Sequence, residues 1–185
     1  IFISNIFIVL SVSIFFKSLV ILYFRLLFYL IILKMNNKIY VYTDGACSNN
    51  GKANAKAGIG IYFSEDDSRN LSAKIKGKQT NNRAEIIAII MVYKILNKEI
   101  QEGEKKIIIA SDSQYAIRAA TTYGEKMSAK DFKNIPNSDL VKMVYTLYKD
   151  KPNVEFMHVK AHTNNNDVHS IGNQRADSLA VASIQ

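Results

Sequence analysis

The run Lys106-Ile107-Ile108-Ile109-Ala110 constrains the fold of this chain more than any other segment. It is continuously apolar and bounded by charged residues, so a strand built from it has no polar side to show to solvent. Such a strand is buried on both faces and needs a covering layer on each. The pattern around it supplies those layers. Residues 38–43 are β-branched and aromatic and end at Asp44-Gly45, which reads as a strand entering a turn. Residues 58–64 and 70–76 are two further short strands. Residues 82–98 carry Ile86, Ile89, Ile90, Tyr93 and Leu96 at helical spacing, with Gly103 beyond the end. Asp112 opens a short helix to about residue 121. Residues 138–148 form another helix, with Leu140, Met143, Val144 and Leu147 as its apolar stripe. Residues 154–159 are a fifth strand, and residues 173–182 a closing helix. The order strand-strand-strand-helix-strand-helix-helix-strand-helix predicts an α/β domain over 35–185, a five-stranded mixed sheet flanked by helices.

Residues 1–34 belong to a different composition. They hold 26 apolar residues, no Asp or Glu, and only Lys17, Arg25 and Lys34 as charges. About 20 apolar residues span a bilayer, so the segment is long enough for a membrane anchor. Met35-Asn36-Asn37-Lys38, directly before the first strand, reads as a true start, and the preceding segment as translated upstream sequence or a removable leader. Of the two, the leader is the expectation and the membrane anchor the alternative.

The chain carries 24 basic and 16 acidic residues; without Lys17, Arg25 and Lys34 the count is 21 against 16, an excess of five. That excess suits a polyanionic partner without requiring one. Cys47 is the only cysteine, which excludes an intramolecular disulfide and a cysteine-based metal site.

Carboxylates recur at the ends of the expected elements: Asp44 after the first strand, Glu85 at the start of the first helix, Asp112 after the fourth strand, Asp177 in the last helix. Each has an ordinary explanation. Asp44-Gly45 suits a turn. Glu85 follows Asn82 by three, as in a capping box. Asp112 suits an N-cap, and Asp177 a solvated helix charge. Singly, none points to chemistry.

Together, Asp44-Gly45-Ala46, Asn82-Arg83-Ala84-Glu85, Ser111-Asp112-Ser113-Gln114 and Asn173-Gln174-Arg175-Ala176-Asp177 occur in a fixed order. This set resembles type 1 ribonuclease H, over essentially all of 35–185, with a viral or retroelement-like flavour. The resemblance implies a ribonuclease H-like fold and an endoribonuclease that hydrolyses the RNA strand of RNA–DNA hybrids, giving 5′-phosphate and 3′-hydroxyl ends. It implies two Mg²⁺ ions, replaceable by Mn²⁺, held by Asp44, Glu85, Asp112 and Asp177, with Asp44 shared. Clustered acids suit such ions, which take anionic oxygen ligands and retain waters. Cys47, Asn50, Asn81, Asn82, Gln114 and Asn173 match positions that contact the hybrid; amides there would read the 2′-hydroxyls that distinguish RNA from DNA. For Cys47 a small buried residue, and for the asparagines a turn or cap, are the alternatives. Arg83 is a structural or phosphate contact. The implied partner is the hybrid alone, with no small-molecule cofactor, in a monomer that is cytoplasmic, nuclear or virus-associated. An inactive nucleic-acid-binding module and another nuclease or transposase of the same fold are the competing readings.

The histidines divide. His158 alternates with apolar neighbours and reads as structural. His162 matches the family's mobile histidine, and an ordinary imidazole pKa near 6.5 suits proton transfer. His169, in a loop of residues 163–173 that is longer than in the common bacterial form, is a second proton carrier or a surface histidine. Residues 122–137 contain no Trp, as does the whole chain. Where many relatives carry a Trp-rich basic helix, this chain is expected to have a reduced protrusion.

Overall fold

The protein is described here by a computed structural model that covers residues 17, 19–29, 37–161 and 166–185. The chain divides into two compact units, Ile1–Lys38 and Ile39–Gln185. In the first, residues 19–29 form an exposed helix, α1. Among the described residues, no helix is long and apolar enough to cross a membrane. The remainder of the expected leader or anchor lies outside the described residues.

The strands are β1 (Lys38–Ser48), which enters the second unit at Ile39, β2 (Lys56–Tyr62), β3 (Leu71–Lys74), β4 (Lys106–Ser111) and β5 (Val154–His158). They form one sheet in the order β3-β2-β1-β4-β5. β1 and β2 pair antiparallel, as do β2 and β3, while β4 and β5 pair parallel, so the sheet is mixed as expected. The helices are α2 (Asn81–Ile95), α3 (Asn97–Glu102), α4 (Gln114–Ala120), α5 (Thr122–Ser128), α6 (Ser138–Tyr148) and α7 (Val168–Ala182).

Two unequal layers cover the sheet. On one face Val41, Ile59, Ile61, Ile107 and Ile109 pack with Ile86, Ile89 and Val92 of α2 and with Val141 and Val144 of α6 in one large core. On the other, Tyr42, Ala110 and Ala176 form a small cluster under α7. The isoleucine run of β4 is buried throughout, Ile108 included, as its sequence demanded. α7 approaches β2 so closely that a Cβ on Gly60 would overlap the carbonyl of Ala176. Close backbone contact takes the place of side-chain packing there.

Several boundaries differ from the sequence reading, each for a local reason. β1 does not end at Asp44-Gly45: it continues to Ser48 because Asp44, Gly45, Ala46 and Cys47 pair with Gly60, Ile59, Gly58 and Ala57 of β2. The helix expected over 82–98 breaks at Leu96 and restarts as α3, which ends at the left-handed Gly103 (φ 72°). α2 is capped by Thr80, whose hydroxyl accepts from the Arg83 amide, so Asn82 and Glu85 are not a capping box. Ser113, not Asp112, caps α4. Residues 122–137 hold the short helix α5, whose Met127 is buried, followed by turns with left-handed Asp131, Phe132, Asn134 and Asn137. α7 begins at Val168 rather than Asn173, capped by Asp167, so His169 sits in a helix and not in a loop.

Candidate active site

The continuation of β1 through Asp44 and the start of α2 bring two acids together. Asp44 lies in mid-strand opposite Gly60 and is buried. Glu85, in the second turn of α2, is buried as well. Gly45 allows this proximity, because a Cβ there would come 2.5 Å from the Glu85 amide nitrogen. Asp112 arrives from the end of β4. One ligand oxygen each from Asp44, Glu85 and Asp112 lies within 4.8 Å of the others. Asp177, five residues along α7 from Gly172, lines the same cleft of about 570 Å³, and its charge helps raise the Asp44 carboxyl.

Each of the three converging acids has one oxygen held by an amide. The Gly45 N–H donates to Asp44 Oδ1 at 2.8 Å. Asn81 Nδ2 donates to Glu85 Oε1 at 3.3 Å. Asn173 Nδ2 donates to Asp112 Oδ2 at 3.1 Å. Glu85 Oε2 is buried with no hydrogen-bond partner. Burial first, then the Asp112 charge, pushes the Asp44 carboxyl up to about 7. Burial, then Asp44 and Asp112, pushes Glu85 well above the carboxylate range. Negative charge is therefore crowded beyond what the protein's own donors neutralise. Oxygen ligands and an uncompensated charge of this kind suit a divalent cation, which would satisfy Glu85 Oε2 and relieve the repulsion.

The remaining expected site residues fall in different places. Asn81 and Asn173 line the cleft. Asn50 is exposed in the turn after β1, and its Oδ1 accepts from the Asn81 amide at 3.4 Å. Asn82 is exposed at the start of α2. Gln114 is exposed at the start of α4, its Oε1 3.2 Å from an Arg118 nitrogen. Cys47 is half-buried and packs against the large core, and burial pushes its thiol up. Arg83 makes a two-point ion pair with Asp139 of α6, at 2.9 and 2.8 Å, a structural link between helices. His162 lies outside the described residues. His158 holds the strand end, its Nε2 3.2 Å from the Asp112 carbonyl. Sequence reasoning missed Ser113 and Gln174 in the cleft lining. Their one signal was adjacency to Asp112 and Asn173.

Comparison with known proteins agrees with this architecture. The sequence profile of the RNase H family matches residues 36–185. Ribonuclease H of Schizosaccharomyces pombe is 39% identical over 146 residues, covering 76% of this chain and 50% of that protein. Ribonuclease H of Orientia tsutsugamushi is 32% identical over 153 residues, covering 78% of this chain and 81% of that protein. Among solved structures, LC11-RNase H1 in complex with an RNA/DNA hybrid superposes with a TM-score of 0.52 at 22% identity, covering 79% of this chain and 96% of that one. The chain spans about half the length of the fission-yeast and mammalian relatives it matches. Motifs, sheet order and the matched profile together place this chain in the RNase H family.

Proposed function

We propose that residues 35–185 form an endoribonuclease that hydrolyses the RNA strand of RNA–DNA hybrids with two Mg²⁺ ions, leaving 5′-phosphate and 3′-hydroxyl ends. The observation that carries this reading is the convergence of Asp44, Glu85 and Asp112 within 4.8 Å, with Asp177 on the same cleft. A phosphate-binding module gains nothing from such a cluster, which repels its ligand. A family member of the same fold has been solved with an RNA/DNA hybrid, which favours this substrate over other nucleic acids.

Asp44, Glu85, Asp112 and Asp177 would hold the metal ions. When bound, the ions activate a water and stabilise charge on the departing oxygen. The protein's own groups prepare the site for this. Amides fix one oxygen on each of Asp44, Glu85 and Asp112, which sets the direction of the other. An amide does not titrate, so this orientation persists across the working pH range. Asn50, Asn82 and Gln114, exposed near the ends of β1, α2 and α4, would contact the hybrid backbone and the RNA 2′-hydroxyls. Cys47 would lie beside the DNA strand, and His162 would assist proton transfer or product release.

The test is direct. The full chain is incubated with Mg²⁺ and labelled RNA–DNA hybrid, beside RNA–RNA and DNA–DNA duplexes. Cleavage confined to the RNA strand of the hybrid, and lost in Asp44→Asn, is the expected outcome. Survival of the hybrid, or equal cleavage by the variant, removes the reading.

A further inference from the structure

Tyr42 and His169 are not among the acids or amides of the cleft, yet they meet the helix that brings two of its residues. Tyr42 is 3% exposed and stands two residues before Asp44 on β1. Its hydroxyl lies 3.1 Å from Nδ1 of His169, in the first turn of α7. Which of the two atoms donates depends on the imidazole tautomer; either way the hydroxyl and the ring are joined across the strand and the helix. The His169 ring also packs on Tyr40 and Tyr42, with centroids 5.5 and 6.1 Å apart. Three residues on, the backbone of Gly172 rests on the Tyr42 ring: a Cβ there would overlap three ring carbons. Asp167 closes the helix end by accepting from the His169 and Ser170 amides and the Ser170 hydroxyl.

Directly after Gly172 comes Asn173, 5% exposed, whose amide holds Asp112. The first turn of a helix lacks intrahelical partners for its N–H groups and frays most readily. Asn173 lies only four residues beyond His169, so its placement depends on how firmly that turn is seated.

We propose that Tyr42 and His169 form a clasp that seats the first turn of α7 on β1 and so holds Asn173 against Asp112. Both are positioning residues of the carboxylate site, a role that rests on reading that site as the metal-dependent nuclease centre. Because Tyr42 shares a strand with Asp44, the clasp refers α7 to the same strand that carries the central acid. Loss of the clasp leaves the fold and the hybrid surface in place while loosening one carboxylate.

The experiment compares the full chain with Tyr42→Phe, His169→Leu and His169→Asn. Tyr42→Phe keeps the ring on which Gly172 rests and removes only the hydroxyl. His169→Asn returns an acceptor near the position of Nδ1. Three quantities are measured: Mg²⁺ affinity by titration calorimetry, amide hydrogen exchange over residues 170–177, and kcat and KM on labelled hybrid. Tyr42→Phe and His169→Leu are each expected to weaken Mg²⁺ binding about fivefold, the effect of one hydrogen bond. They also speed exchange in 170–177 and lower kcat with KM unchanged. His169→Asn recovers most of the loss, and the double variant Tyr42→Phe/His169→Leu is no worse than either single one. Unchanged affinity and exchange in both single variants overturn the clasp. So do multiplicative effects in the double variant, or a His169→Asn protein as impaired as His169→Leu. If the parent cuts no hybrid while the variants still weaken Mg²⁺ binding and loosen α7, the nuclease reading fails and the clasp stands.

Discussion

The two faces of the sheet are built in different ways. Beneath α2 and α6 lies a deep apolar core in which Ile59, Ile61, Ile86, Ile89, Ile107 and Ile109 are buried. Beneath α7 only Tyr42, Ala110 and Ala176 form the buried cluster, and glycine brings backbone against backbone. Apolar area stabilises in proportion to its burial, so the first face carries most of the folding free energy. The second face contributes little area but delivers Asn173 and Asp177 to the cleft. The deep face thus carries most of the stability and supplies Asn81 and Glu85 from α2, the thin face adds Asn173 and Asp177 with little buried area, and Asp44 sits on the strand between them.

That division is easiest to break at Asp44 itself. Asp44→Asn should lower single-turnover cleavage by about a thousandfold, since metal-derived stabilisation is worth several kcal/mol. The metal-free variant should melt no lower than the parent, because a crowded buried charge has been removed. The same crowding fixes a pH dependence. Asp44 and Glu85 have folded-state pKa values above their unfolded ones. Their contribution to stability is therefore fully present below about pH 4; that of Asp44 is lost as pH rises through about 7, and that of Glu85 at higher pH still. Melting temperature in chelator should fall over that interval, and Mg²⁺ should restore it more strongly the higher the pH. A metal-free protein that gains stability from pH 5 to 8 would contradict the assignment.

The next largest effects separate the faces. Ile89→Ala, in the deep core, should cost about 2–5 kcal/mol in urea denaturation. Its Mg²⁺ affinity, measured where the protein is folded, should stay near that of the parent. Gly172→Ala, on the thin face, should cost about 1–3 kcal/mol because the methyl group meets the Tyr42 ring. Unlike the core variant, it should weaken Mg²⁺ binding as well. Equal loss of metal affinity in both would erase the distinction. The smallest effect is at Thr80: removing its cap hydroxyl with Thr80→Ala should cost about 1 kcal/mol. Because Asn81 follows directly, calorimetry should also show a modest fall in Mg²⁺ affinity.

The sequence showed the deep face far more clearly than the thin one. Ile86, Ile89, Ile90, Tyr93 and Leu96 at helical spacing mark α2, and the isoleucine run marks β4. Both signals are long apolar patterns that tertiary structure does not override. The four carboxylates were legible only as an ordered set, since each suits a cap or a turn alone. Asp44-Gly45 looked like a turn because its strand character comes from pairing with Gly60 and Ile59, a long-range fact. The start of α7 was hidden for a similar reason. Asn and Ser around Asp167 read as loop, and what makes the segment helical is the cap of Asp167 together with contact to Tyr42. The amide link from Asn173 to Asp112 joins residues 61 apart in sequence and leaves no local trace, whereas Asn81 and Glu85 stand one helical turn apart on α2.

Those amide links carry a practical consequence. The side-chain NH₂ groups of Asn81 and Asn173 each rest on a different carboxylate, and each carries nitrogen-bound protons that a nitrogen–proton spectrum can follow. Any change of charge at Glu85 or Asp112 is therefore written into a separate resonance. The two side chains are thus a pair of spectroscopic gauges on the cleft, readable before any nucleic acid is added.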